Sequence, residues 1–380
     1  MDESIAANQR PLRVLIVGPS LDILGGQSVQ AARLMAELKR EPSLEVAFLP
    51  INPRLPGPLR KLQSVKYLRT IVTSLLYCAT LLARVRRYDV IHVFSASYLS
   101  FVIAPTPAIL VSKLYRKPVL LNYHSGEAED HLRRWKTAIR TINLVDKIAV
   151  PSGYLVDVFA EFGFTTRAIF NFVDTDAFHF RKRKPLRPLF LSNRNLEPMY
   201  NVGCVLRAFA IIQQRYPQAR LIVAGDGSQR AALESLAREL QLKNVEFIGR
   251  VAPERMPTLY DAADIFLNGS EIDNMPISLI ESFASGLPVV TTDAGGIPHI
   301  VTNEKSGLVV RRGDYNAMAL CAMRLLEDEE LASRIAATAR DECRKYRWDF
   351  VRSEWLKLYH ELGRKRARTA GEWSAAAERL

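Results

Sequence analysis

Three carboxylates crowd one stretch of the chain. In GSEIDNMPISLIESFASGLPVV, from Gly269 to Val290, Glu271 and Asp273 lie in a polar loop, Ser270 to Pro276. Glu281 follows inside an apolar-periodic segment that carries Ile277, Ile280, Phe283 and Ala284 on one face. Gly286 and Pro288 close that segment, and the β-branched run Val289-Val290-Thr291-Thr292 begins. Loop, helix, turn and strand make half of a βαβ unit. A helix N-terminus presents free backbone N–H groups and a partial positive charge, which suits an anion. Carboxylates beside it are badly placed for phosphate and well placed for hydroxyls attached to that phosphate. Phosphate on amides and hydroxyls on acids is the chemistry that a sugar nucleotide asks for.

The elements that must hold these groups alternate along the whole chain. LRVLIVG, residues 12–18, reads as a buried strand, followed by the loop PSLDILGGQSVQ and a helix from about Ser28 to Arg40. Gly25-Gly26 would let backbone approach a ligand closely, although a plain turn before a helix reads the same way. The pattern is not GxGxxG, so a dinucleotide is not inferred. Strands follow at Glu45 to Leu49, Val90 to Phe94 and Val119 to Asn122, the last running into Tyr123-His124-Ser125-Gly126. A histidine just past a parallel strand stands at the rim where open α/β sheets bind ligands, and a structural hydrogen-bonder is the alternative. Strand Lys147 to Pro151 and helix Gly153 to Phe162 lead to NFVDTDAFHFRKRKPLRP, whose charge run and prolines mark a boundary near 172–188.

The second half repeats the alternation. Strands at Leu189 to Ser192, Ala219 to Ala224, Val245 to Ile248 and Ile265 to Asn268 end in Asn193-Arg194, Gly225-Asp226-Gly227, Gly249-Arg250 and the acidic loop. Val289 to Thr292 enters a second glycine-rich loop, Ala294 to Pro298, expected to open a helix at His299, and Gly307 to Val310 reads as hairpin-like. Two consecutive α/β domains commonly place a ligand in the crevice between them. Domains are accordingly expected at 1–180 and 181–345, with a helix at 346–362 and a disordered tail at 363–380.

A length of 380 residues and 48% hydrophobic content support two full cores. Cys78, Cys204, Cys321 and Cys343 lie far apart without CxxC spacing, which fits a reducing compartment and gives no metal signature. The polar start MDESIAANQRPLR lacks an apolar signal region, so we expect a cytoplasmic protein. The net charge of +12 is uneven: residues 1–187 hold 27 Lys+Arg against 15 Asp+Glu, whereas residues 188–380 hold 25 of each. Such a field suits nucleic acid, an anionic membrane or a phosphorylated substrate. No helix-turn-helix, RNP or Cys/His pattern accompanies it, so nucleic acid is not expected. The segment RKLQSVKYLRTIVTSLLYCATLLARVRRYD sets Arg60, Lys61, Lys66 and Arg69 beside an apolar run from Ile71 to Ala83. It reads either as a packed helix with a solvated basic end or as an amphipathic contact with an anionic bilayer, peripheral at the inner face of the membrane.

The ordered set AGDGSQRAALESLA, VEFIGRV, LYDAADIFLNGSE, PISLIESFASGLPVVTT and AGGIPHIV resembles the retaining glycosyltransferases of family 4. The resemblance implies the GT-B fold, two facing Rossmann-like domains with a C-terminal helix returning to the first domain. It implies a sugar moved from a nucleoside diphosphate to a hydroxyl of a glycan or lipid-linked acceptor, with no cofactor and no metal, in polysaccharide or glycolipid assembly. Carried over by position, Gly25 and Gly26 would approach the diphosphate or donor sugar, and His124 would touch the sugar near the reaction centre. Arg194 would neutralise the diphosphate. The family's paired acids, with seven residues between them, fall on Asp273 and Glu281, for sugar hydroxyls and ribose respectively. Asn274, Met275 and Pro276 would line the phosphate, Gly225 would join the donor site, and Gly249 and Arg250 would sit near the base. Three positions depart from the family: Tyr200 and Asn201 stand where Lys-Gly is usual, Asp273 replaces Glu with Glu271 as a competitor, and His299 replaces Glu. These departures leave open a second reading, a non-catalytic sugar-nucleotide-binding scaffold in a glycan-assembly complex.

Overall fold

The computed structural model of the chain describes residues 10–20, 26–55, 57, 66–95 and 97–377, with side chains for all of these except 66–67 and 365–377. Gly25 lies outside the described residues, as do Arg60 and Lys61. By contacts the chain divides into two units. The first holds residues up to Pro151, Val156–Ile169 and everything from Arg352, and the second holds Ser152–Leu155 and Phe170–Val351.

Among the described residues each unit contains one six-stranded sheet. In the first, β1 (Leu12–Gly18), β2 (Leu44–Pro50), β3 (Val90–Ser95), β4 (Val119–Tyr123), β5 (Lys147–Val150) and β6 (Arg167–Ala168) lie in the order β2-β1-β3-β4-β5-β6. In the second, β7 (Leu189–Asn193), β8 (Arg220–Ala224), β9 (Val245–Gly249), β10 (Ile265–Asn268), β11 (Val289–Thr292) and β12 (Leu308–Val310) lie in the order β12-β11-β10-β7-β8-β9. All the pairings are parallel, with Leu15 opposite Ile91 and Phe266 opposite Leu191. Parallel strands are covered on both faces, which is why Val14 to Val17 and Ile265 to Leu267 are unbroken apolar runs and fully buried. Strand order reverses between β1 and β3 in one sheet and between β7 and β10 in the other. Such switch points are where the carboxyl ends of strands leave a crevice.

Three sequence expectations change. Leu308–Val310 is no hairpin arm but the parallel edge strand of its sheet, with Val290 opposite Leu308. The loop after β11 gives one 3-10 turn, Ile297–His299, in place of a helix. The C-terminal helix runs from Trp348 to Ala377, through the segment expected to be disordered. Its Ala, Arg and Glu residues favour helix and no proline interrupts them. The charged run at the boundary is held by specific ion pairs. Arg181, Arg183 and Arg187 gather on Asp264, whose side chain is 1% exposed. Buried Arg183, its pKa pushed down to about 10 chiefly by burial, donates to the carbonyls of Tyr260 (3.0 Å) and Ser285 (2.6 Å). Those carbonyls end the helices Met256–Ala262 and Ile277–Ser285, where a cation is favoured by the helix dipole.

The C-terminal helix joins the first unit through specific contacts. Arg352 makes a two-point ion pair with Glu41 (2.5 and 2.6 Å). Tyr359 Oη lies 2.7 Å from Nδ1 of fully buried His92, whose ring also stacks on Phe94 and Trp355. Burial, with a smaller contribution from His124, pushes the His92 pKa down to about 3. The folded state therefore holds His92 neutral while the unfolded chain takes up a proton below the ordinary histidine value. Stability on this account is full above about pH 6.5 and is lost as pH falls toward 3, at up to ~1.4 kcal/mol per pH unit for this one proton. Chemical unfolding of His92→Phe between neutral and acid pH should show a shallower acid limb than the wild type; the slope that remains comes from His124 and His131, held low by burial, and from carboxylates that the fold holds low, such as Asp264. Equal slopes in the two proteins would remove His92 from the account.

Candidate functional site

In the second unit the switch point between β7 and β10 brings the chemistry together. Arg194 leaves the end of β7, and the loop 269–276 leaves the end of β10. The Arg194 guanidinium pairs with the Asp273 carboxylate, reaches Ser278 Oγ at 3.4 Å and lies 4.1 Å from the centre of the Tyr200 ring. Its Nε is buried without a hydrogen-bond partner among the described residues. Asp273 is 9% exposed and accepts further hydrogen bonds from Ser270 Oγ (3.2 Å) and the Asn274 amide (3.0 Å). Burial pushes its carboxyl above the ordinary carboxylate range, and Arg194, Ser270 and Asn274 pull the other way. A cation stacked on an aromatic face and paired with a buried acid has little freedom to wander.

Close backbone approach builds the floor. A Cβ on Gly225 would stand 2.1 Å from the Arg194 carbonyl, and one on Gly296 would stand 1.9 Å from the Asn274 carbonyl. Only glycine permits the loops after β8 and β11 to press against the Arg194 and Asn274 backbones in this way. Behind Asp273, Ser270 Oγ donates to Asn268 (2.9 Å), Asn268 donates to Thr291 Oγ1 (3.0 Å), and Thr292 Oγ1 donates to the Ser270 carbonyl (2.5 Å). All four are buried.

The two competing acids separate cleanly. Glu271 is bound by Asn201 Nδ2 at 2.7 Å, away from Arg194, while Asp273 takes Arg194. Asn201 has a left-handed backbone (φ 38°), and its side-chain oxygen caps the helix Val202–Arg215 by accepting from the Cys204 amide at 3.1 Å. Glu281, on the helix Ile277–Ser285, is 6% exposed and accepts from buried Tyr260 at 3.0 Å. Asn193, at the end of β7, donates to the same Tyr260 hydroxyl at 3.2 Å. That helix begins at Pro276 with no side-chain cap. Met275 is buried, and its sulfur accepts from the Asn171 amide at 3.3 Å. Asn274 is buried and hydrogen-bonded to Ser152. Gly249 has φ +73°, its carbonyl accepts from the Gly225 amide at 2.8 Å, and Arg250 is exposed and 3.8 Å from Asp226.

The remaining named residues belong to the first unit. His124 follows β4, its ring stacks on Phe94 at 5.2 Å, and burial pushes its pKa down to about 4. Gly26 opens the helix Gly26–Leu38 and is exposed. Sequence reasoning did not single out Tyr260, Asn193, Ser270 or Ser278, and it noted Asn201 only as a departure from the family's glycine. They are common polar types whose proximity to the acids comes from strand order, and Ser278 alone, two residues after Pro276, had a local signal. Among the described residues no group of three His, Cys, Asp or Glu side chains is placed to hold a metal ion.

Two parallel-sheet units of this kind define the GT-B architecture. The fold matches that of Anabaena HepE, crystallised in complex with UDP, at a TM-score of 0.73 and 18% identity over 92% of this chain and 100% of that one. Residues 24–177 match the family described as "Glycosyltransferase Family 4", and residues 174–342 match "Glycosyl transferases group 1". The chain belongs to the group 1 glycosyltransferases of family 4. Curated relatives include the sulfoquinovosyl transferase SQD2 of Arabidopsis thaliana, 26% identical over 74% of this chain and 59% of its own length. Another is a GDP-mannose-dependent alpha-(1-6)-phosphatidylinositol monomannoside mannosyltransferase of Mycobacterium tuberculosis, 30% identical over 47% of this chain and 51% of its own. The match thus spans little more than half the length of these relatives.

Removing Arg194 would strand Asp273, a buried acid, without its cation. Arg194→Ala should lower unfolding stability by ~3 kcal/mol, because a lone buried charge costs more than the pair returned. Asp273→Asn in the same chain should recover part of that loss. Denaturant titration of the two variants measures it, and additive losses would show that the pair is not coupled.

Proposed function

We propose that the chain is a retaining, metal-independent glycosyltransferase that moves a sugar from a nucleoside-diphosphate sugar to a hydroxyl acceptor. The observation that carries this reading is Arg194 at the switch point, paired with buried Asp273, stacked on Tyr200 and set beside the uncapped start of the helix Ile277–Ser285. Breaking the bond between the anomeric carbon and the phosphate oxygen develops negative charge on the departing diphosphate and positive charge on the sugar. Arg194 and the first amides of the helix, those of Ile277 and Ser278, are preorganised cationic and dipolar partners for the first. Asp273 is the hydroxyl acceptor for the sugar, and Arg194 passes from the carboxylate to share its charge with the diphosphate. Glu281, fixed by Tyr260, is placed for the ribose, and Asn274, Met275 and Pro276 line the phosphates. Gly225, Gly249 and Arg250 complete the donor side.

The acceptor oxygen bonds to the anomeric carbon on the face the diphosphate leaves, and its proton goes to a phosphate oxygen. Retention follows without a protein nucleophile. His124 and Gly25-Gly26 of the first unit are assigned to the donor sugar and diphosphate. Tyr200 takes the place of the second cation by holding the first one still. The acceptor is a glycan or a lipid-linked hydroxyl, in line with the phosphatidylinositol monomannoside named for the mycobacterial relative. Peripheral contact with the inner face of the membrane accords with the basic first half.

A thermal-shift panel of UDP, GDP and their sugars should raise the melting temperature with one base, since a ligand stabilises the state it binds. With the donor so found, diphosphate release should fall by about 10²–10³-fold in Arg194→Ala, and the product should keep the donor's anomeric configuration. Stabilisation by a donor with no turnover on any acceptor, in wild type and variant alike, would favour the non-catalytic scaffold instead.

A further inference from the structure

Residues 46–126 contain 11 Lys+Arg and one acid, Asp89. At the centre of this stretch lies the helix Lys66–Arg84, KYLRTIVTSLLYCATLLAR, with three cations and no acid. A helix on the surface of a water-soluble unit normally keeps a polar face outward. This one is apolar on both sides. Tyr77, Leu81 and Val85 are buried against the unit, with the Tyr77 hydroxyl donating to the Ala104 carbonyl at 2.8 Å. Leu68, Ile71, Leu75 and Leu82, spaced three, four and seven residues apart, point the other way and are 38%, 60%, 66% and 43% exposed. The row continues on the neighbouring helix, Pro105–Leu114. The Tyr115 hydroxyl donates to the Leu82 carbonyl at 3.0 Å, so that helix's last turns lie beside Leu82, and there Leu110 and Leu114 are 51% and 69% exposed.

We propose that this face of the first unit is a bilayer-docking surface, with the helix Lys66–Arg84 lying in the plane of an anionic membrane. Charge selects this occupant. A second copy of the chain would bring one acid-poor cationic surface against another, whereas anionic headgroups neutralise the exposed Arg69, Arg86 and Arg87 at the rim. Leu68–Arg87 is long and apolar enough to cross a bilayer by composition. Its packed side, fixed by Tyr77 and Leu81, keeps it on the unit, so the outward leucines and isoleucine enter only the headgroup boundary. Docking uses none of the donor-site residues, so it stands or falls separately from the transfer reaction.

Flotation of the full chain with vesicles tests it. Wild type should rise with vesicles of mixed phosphatidylcholine and phosphatidylglycerol and should be released by high salt. Phosphatidylcholine alone should carry far less. Ile71→Glu with Leu75→Glu should weaken the association by about tenfold or more, with an unchanged melting temperature and an unchanged response to nucleoside diphosphates. Arg69→Glu with Arg86→Glu, which spares the apolar row, should abolish the preference for anionic vesicles. Wild type left behind by both vesicle types, or flotation of the leucine-face variant equal to wild type, overturns the proposal. So does a solution dimer that the leucine-face variant dissolves.

Discussion

The second unit depends on a buried ion pair that is expensive to keep. Taking the Arg194 guanidinium and the Asp273 carboxylate out of water costs several kcal/mol for each charge. Their mutual attraction, two hydrogen bonds to Asp273 and the Tyr200 ring under the guanidinium offset that cost only in one geometry. A pair of well-packed apolar residues would hold the ends of β7 and β10 together at least as well. What the pair supplies is a charge of fixed position with donors to spare, at the point where the strand order leaves a crevice. That is the arrangement a departing diphosphate requires, and it is poor use of a core position otherwise.

The rest of the unit keeps the pair in place. Asn268, Ser270, Thr291 and Thr292 spend their side chains on one another and on the loop backbone, so the loop carrying Asp273 cannot relax. Gly225 and Gly296 bring the neighbouring loops to within contact of the Arg194 and Asn274 carbonyls. From the far side, Arg183 holds the last carbonyls of the helices that bear Tyr260 and Glu281. A shift in either helix would break a buried charge-assisted hydrogen bond, which is costlier than an ordinary contact.

Much of this was legible in the sequence, because period and punctuation survive folding. Apolar runs, Gly286, and the loop before Ile277 located the β10–loop–helix–β11 segment to within a residue or two, and the family resemblance selected Asp273 over Glu271. What was not legible came from strand order. Tyr260 meets Glu281, and Asn201 meets Glu271, only because the sheet places distant segments side by side. The run Arg181 to Arg187 was legible as a boundary, and nothing local announced that Asp264 waits for it. At Leu308–Val310 the signal was turn and strand, which a hairpin and a parallel crossover share until a partner is known.

The two apolar helices show why charge, and not hydropathy, separates the surfaces. Ile277–Ser285 buries every residue from Ser278 to Ser285, Glu281 included, whereas Lys66–Arg84 leaves Leu68, Ile71, Leu75 and Leu82 in solvent. Residues 188–380, with equal numbers of acids and bases, create no long-range field for an anionic donor. Any phosphate bound there would have to be held at short range, within a Debye length of about 8 Å, as the reading of Arg194 proposed above requires. In the proposed reading the charge on the diphosphate is met by Arg194, which leaves the cationic excess of residues 1–187 without a part in it. An excess that surrounds an exposed apolar row, and that is interrupted by one acid in 81 residues from 46 to 126, suits the extended anionic surface proposed above as its partner.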